Sequence, residues 1–92
     1  MRKLAIGDSV IYVNEFGKPL NALCTQNWGR GEFSIAPDSV YPQDPPSINV
    51  VFVTPNEDKT DSCGRQIDRE TSVVHRTRQG AHGRYWKFAD EA

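Results

Sequence analysis

The sequence lacks any long apolar run. No stretch approaches the roughly 20 apolar residues of a transmembrane helix. The apolar segment after Arg2 and Lys3 ends at Gly7, which is too early for a signal peptide. The two cysteines, Cys24 and Cys63, are too few for a disulfide framework. We therefore expect a soluble protein of the reducing cytoplasm that has no contact with membranes.

The sequence also lacks an overall excess of charge of either sign. The formal net charge of -1 provides no general attraction to nucleic acid or to an anionic membrane. The charges are nevertheless divided along the chain. Residues 36–61 contain five carboxylates and one lysine, whereas residues 62–88 contain six basic side chains and two carboxylates. If an anion binds, we expect it to bind to the C-terminal third.

Helical periodicity and internal repeats are absent, and the one strong apolar segment has the length of a strand. This segment, Ile48–Thr54, reads INVVFVT and is bounded by Pro45-Pro46 and Pro55-Asn56. Because nearly every side chain in it is apolar, we expect a central strand that is covered on both faces.

Shorter alternating segments surround this central strand. Four further strands are predicted at residues 10–13, 20–28, 66–75 and 84–88, with a short returning strand at 32–35. Leu20, Ala22, Cys24 and Gln26 form the predicted core face of the second strand. A bulge is expected near Ser72.

The last predicted strand and the loops complete the expected fold. Trp86 and Phe88 should fill the core, Tyr41 should cover one end of the barrel, and the polar segment 55–65 should be a mobile loop. About five short strands without a helix between them favour a small SH3-like barrel over an OB-like one. At 92 residues the chain is expected to be a single domain, 1–92, with a small core.

Several segments occur in an order that resembles a known group of proteins. They are IGDSVIYV, GK-x-L-x-A from Gly17, INVVFV, TSVVH from Thr71 and GRYWKF from Gly83. This set resembles small proteins of tailed bacteriophages and prophages, and it implies an SH3-like barrel of phage origin without implying an activity. The long segment 55–65 and the YWKF sequence depart from that pattern. The GD-x-V start also resembles KOW and Tudor-like barrels.

One cluster of residues has the chemistry of an anion site. It consists of His75, Arg76, Arg78, His82 and Arg84, around the loop that ends at Gly83. Guanidinium groups bind phosphate, glycines allow the backbone to approach an anion, and the nearby aromatic rings can stack on a base. The cluster therefore predicts a nucleotide or nucleic-acid site. The alternative is a solvated hairpin edge in which the arginines pair with Asp68, Glu70 and the acidic loop.

Other candidate sites are weaker. Trp28 and Arg30 lie beside Gly29 and Gly31 in a loop that we expect to contact a partner, although a tight hairpin explains the glycines equally well. Cys63 and the two histidines do not have the spacing of a zinc site. The sequence predicts no catalytic residue, metal or cofactor.

The expected function follows from a barrel without a catalytic set. We expect a non-enzymatic phage or prophage accessory protein that binds a host or phage macromolecule as a homo-oligomer. One alternative is a protein that sequesters a phosphorylated small molecule or nucleic acid through the arginine and histidine cluster. Another is a structural component of the virion.

Overall fold

The computed structural model describes residues 3–29, 45–78 and 83–91. Their regular elements are short strands and one 3-10 turn. The strands are β1 (Ser9–Val13), β2 (Pro19–Asn27), β3 (Ile48–Val53), β4 (Thr60–Asp61), β5 (Gly64–Arg65), β6 (Ile67–Val73) and β7 (Tyr85–Lys87). The 3-10 turn, Arg76–Arg78, lies between β6 and β7. The described ranges contain no α-helix.

Five of the strands form one curled antiparallel sheet in the order β6-β3-β2-β1-β7. The chain beyond β6 then returns to β7: the backbone nitrogen of Trp86 donates to the carbonyl of Val74 at 2.9 Å, and an isolated parallel bridge joins His75 to Trp86. These contacts curl the sheet into a partly closed barrel. The predicted all-β fold, a small barrel of about five short antiparallel strands, is confirmed.

The core lies on the inner face of this sheet. Its buried members are Leu4, Val10, Tyr12, Ala22, Cys24, Ile48, Val50, Phe52, Val73, Trp86 and Phe88. Trp86 is 0% exposed and its Nε1 donates to the carbonyl of Pro46 at 2.9 Å, which satisfies the one polar atom that its burial would otherwise leave without a partner. The prediction that Trp86 and Phe88 fill the core is confirmed.

Of two predictions made for β3 and β6, one is wrong and the other is confirmed. The prediction that β3 is covered on both faces is wrong, because Ile48, Val50 and Phe52 are buried whereas Val53 is 53% exposed. The predicted bulge is confirmed: the register between β3 and β6 shifts, and Ser72 has a φ of 55°.

The segment 55–65 differs from the predicted loop because it contains a hairpin. In it β4 and β5 pair through Thr60 and Arg65, and the backbone nitrogen of Gln66 donates to the carbonyl of Lys59 at 2.9 Å. Backbone hydrogen bonds therefore give a hairpin structure to a segment whose polar composition predicts a loop. The predicted strand at 32–35 and the predicted position of Tyr41 lie outside the described residues.

Candidate functional site

His75, the first residue of the predicted anion cluster, is buried. Its side chain is 0% exposed, and its Nε2 lies 2.8 Å from Oε1 of Glu91. Its Nδ1 accepts from the backbone N–H of Thr77 at 3.3 Å and lies 3.0 Å from the hydroxyl of the same residue. Because that N–H can only donate, the geometry fits a neutral ring with its proton on Nε2. The His75 side chain therefore makes its hydrogen bonds inside the barrel.

The arginines of the cluster contact two different carboxylates. Arg76 pairs through Nε with Oε2 of Glu91, which is also the partner of His75. Arg84 pairs through Nη1 with Glu70. The structure thus brings His75 and Arg76 together and places Arg84 in another ion pair. Arg78 is exposed in the 3-10 turn, and the predicted site residue His82 lies outside the described residues.

Glu91 is a residue of this cluster that sequence reasoning missed. Its side chain is 3% exposed. Burial raises the pKa of the Glu91 carboxyl, but hydrogen bonds from His75, Arg76 and the backbone of Phe88 outweigh burial and leave that pKa lowered. The ionised carboxylate therefore holds the 3-10 turn and the segment after β7 together. No local pattern marks Glu91, because its partners lie 15 and 16 positions away.

The predicted partner loop is described only in part. Trp28 is 60% exposed, and its Nε1 donates to Oδ1 of Asn49 at 2.9 Å. The same oxygen accepts from the backbone nitrogen of Ser72 at 3.0 Å. A Cβ on Gly29 would lie 2.6 Å from the Cβ of Pro46, so close approach explains this glycine. Arg30 lies outside the described residues.

An open pocket of about 210 Å³ lies at one end of the barrel and was not predicted. We call it the mouth; it is lined by Tyr12, Asn14, Glu15, Phe16, Leu20, Phe52, Pro55, Asp68, Glu70 and Arg84. The register of β6 against β3 explains why carboxylates line the mouth. Asp68 pairs with Phe52 and Glu70 with Val50, so both carboxylates lie on the inner face of β6. Polar alternation in β6 predicts two faces but does not indicate which one turns inward.

A second pocket, of about 290 Å³, lies on the opposite face of the sheet. We call the apolar lining side chains that lie outside the core the outer apolar face: Ile11, Leu23, Val51, Val53, Ile67 and Ala89. Cross-strand pairing of Leu23 with Val51, and of Val53 with Ile67, places them on one surface. Among the described residues, none that lines this pocket has an ionisable side chain, although Arg69 and Lys87 lie on the same face of the sheet opposite Val51 and Ile11.

Side chains of the types that bind metals or react as thiols are dispersed among the described residues. Within residues 3–29, 45–78 and 83–91, no three His, Cys, Asp or Glu side chains converge as metal ligands. Cys63 is exposed, whereas Cys24 is buried. Burial raises the pKa of the Cys24 thiol, which disfavours the reactive thiolate.

Comparison with known proteins identified no relative. No protein-family model matches the chain, and neither the curated proteins nor the solved structures contain a match. In the described part of the chain, no helix has the length and apolar character needed to cross a membrane.

Proposed function

We propose that the chain is a non-enzymatic accessory protein of a tailed bacteriophage or prophage, that it forms a homo-oligomer in the host cytoplasm, and that it acts by binding a protein partner. Two observations support this proposal. The ordered segments from IGDSVIYV to GRYWKF resemble phage proteins. The sheet also exposes Leu23, Val53 and Ile67 on one face, and contiguous exposed apolar side chains are typical of an interaction surface.

The outer apolar face is the observation on which the proposal depends most. Leu23 is 47% exposed, Val53 53% and Ile67 62%, although each is a large apolar side chain on a regular strand. We assign this face to a second copy of the chain. A two-fold interface brings the same surface of both subunits together, so a charged surface would repel itself. None of the described residues that line the pocket on this face is ionisable, which makes the centre of the face compatible with self-association. Arg69 and Lys87, which pair with Val51 and Ile11, lie on the same face at the two edge strands.

Sedimentation velocity of two matched variants tests this assignment. Ile67 and Ile6 are 62% and 67% exposed, but only Ile67 belongs to the outer apolar face. We expect Ile67→Ser to weaken self-association at least about tenfold, since an apolar side chain loses its buried contact. Ile6→Ser should leave the oligomer unchanged. A monomeric wild type, or equal effects of the two substitutions, would refute self-association through this face.

The main alternative is a protein that binds a phosphorylated small molecule or nucleic acid through Arg76, Arg78, His82 and Arg84. The net positive charge of residues 62–88 and the exposure of Arg78 favour it. An anion would, however, compete with the carboxylates that already pair with Arg76 and Arg84. Phosphate binding would weaken steeply with rising salt, and joint replacement of Arg76 and Arg78 by alanine would reduce it. Unchanged affinity in that variant would eliminate this alternative.

A role as a virion component is the remaining alternative. It requires the protein to be present in purified phage particles at a fixed copy number. Its absence from such particles, together with its presence in the soluble fraction of infected cells, would favour the accessory role.

A further inference from the structure

The floor of the mouth is aromatic. The rings of Tyr12 and Phe52 stack with centroids 4.9 Å apart and an interplanar angle of 20°. At the edge of the same pocket, Phe16 is 85% exposed. Hydrogen bonds from the backbone nitrogens of Phe16 and Lys18 to Oδ1 of Asn14 fix the turn that carries this ring. Aromatic rings attract cations as well as apolar groups.

The charged side chains of the mouth are mostly negative. Glu15, Asp68 and Glu70 line it, and Arg84 is the one basic side chain among its described lining residues. This negative charge is one of several causes that act on the titration of Tyr12. Burial is the main reason that the pKa of the Tyr12 hydroxyl is raised, and the negative charge of Glu70 raises it further, although Arg84 acts in the opposite direction. An incoming phosphate would be repelled by these carboxylates, whereas an incoming cation would be attracted.

A cationic group of this chain already occupies part of the mouth. The guanidinium of Arg84 pairs with Glu70, interacts with the hydroxyl of Tyr12 and reaches the carbonyl of Thr71 at 3.5 Å. Arg84 is therefore an internal example of the chemistry that the mouth accepts. Among the described residues, the other inward carboxylate, Asp68, has only a loose contact of 3.8 Å with the half-exposed Lys59. Such a contact between partly exposed groups is weak and easily exchanged for another cation.

From these contacts we propose that the mouth binds an arginine or lysine side chain of a protein partner. The aromatic rings contact the stem and face of the cation, while Asp68 and Glu70 accept its hydrogen bonds. Arg84 competes with the incoming cation for Glu70. This inference rests on the proposed function in one respect, that the partner is a protein, and it adds the chemistry by which that partner is recognised.

A titration followed by amide NMR shifts tests the proposal with a defined probe, acetyl-Gly-Arg-Gly-amide. The control peptide contains citrulline, which has the shape of arginine without its charge. We expect the arginine peptide to shift the amides around Phe16 and Glu70 with millimolar affinity, and the citrulline peptide to bind at least about fivefold more weakly. Equal binding of the two peptides, or no shift with either, would overturn the proposal.

Variants locate the binding to the mouth. Glu70→Gln should weaken binding of the arginine peptide about tenfold, because a charged acceptor is lost. Phe16→Ala should weaken it about two- to fivefold without disturbing an ion pair, which keeps the test decisive if Glu70→Gln fails to fold. Arg84→Gln should strengthen it by removing the competitor. Glu57→Gln, an exposed carboxylate outside the mouth, is the control, and an equal effect of this variant and Glu70→Gln would contradict the assignment.

This titration is independent of the test for self-association. Ile67→Ser should leave peptide binding intact, because Ile67 lies on the outer apolar face. A chain that binds the arginine peptide but stays monomeric would retain the cation site and refute the oligomer. A chain that self-associates but does not bind the peptide would retain the oligomer and refute the cation site.

Discussion

His75 and Glu91 form a buried hydrogen bond of 2.8 Å between Nε2 and Oε1, with side chains that are 0% and 3% exposed. His75 follows β6, and Glu91 follows β7. The same carboxylate accepts from the backbone nitrogen of Phe88 at 3.3 Å and pairs with Arg76. This one side chain therefore joins the two ends of the curled sheet beside the bridge from His75 to Trp86.

Removal of the Glu91 charge should destabilise the fold. We expect Glu91→Gln to lower the free energy of unfolding by about 1.5–3 kcal/mol, the range for hydrogen bonds to a charged group. Urea denaturation at pH 7 measures this loss. Glu57→Gln, which neutralises an exposed carboxylate, is the matched control and should change stability by less than about 0.5 kcal/mol. Similar losses in both variants would show that Glu91 has no special role.

The effect of Glu91 should depend on pH in a defined direction. The pKa of Glu91 is lowered in the folded chain, so its stabilising contribution is complete above the unfolded pKa of about 4.3. That contribution is lost as the pH falls through the lower, folded pKa. Denaturation curves from pH 7 to pH 3 should therefore show the gap between wild type and Glu91→Gln closing below about pH 4. A gap of constant size down to pH 3 would contradict this assignment.

Ser72 should tolerate glycine and reject a β-branched residue. Its φ of 55° lies in the left-handed region, at the bulge between β3 and β6. We expect Ser72→Gly to stay within about 0.5 kcal/mol of wild type, because relief of strain offsets the greater entropy of the unfolded chain. Ser72→Val should lose about 1–3 kcal/mol. Chemical denaturation of both variants provides the measurement, and a stable valine variant would argue against the bulge.

The two cysteines should differ in their reactivity. Cys24 is buried with a raised pKa, whereas Cys63 is exposed in the hairpin of β4 and β5. A thiol reagent such as Ellman's reagent should therefore label one thiol of the native protein quickly and the second only after denaturation. The variant Cys63→Ser should abolish the fast phase. Two fast thiols in the native chain would place Cys24 outside the core.

The features that the sequence predicted correctly depend on local patterns. Trp86 and Phe88 share one face of a short alternating segment, so their burial follows from strand geometry. The bulge near Ser72 follows from a break in the alternation of β6. Both can be derived without knowing which strands are neighbours.

The features that the sequence did not predict depend on long-range pairing. Glu91 meets His75 only because the barrel closes there. The inward position of Asp68 and Glu70 requires the register of β6 against β3. The exposure of Val53 likewise reflects what packs on the sheet, since an apolar run looks the same whether one face or both are covered.

Native mass spectrometry of the protein, purified gently from its producing cells, tests the central proposal most directly. One spectrum reports both the number of subunits and any small molecule that the protein retains. Our account predicts a homo-oligomer built from two-fold pairs that carries no nucleotide-sized mass. A monomer at every concentration, or a chain that retains a nucleotide-sized mass, would contradict it.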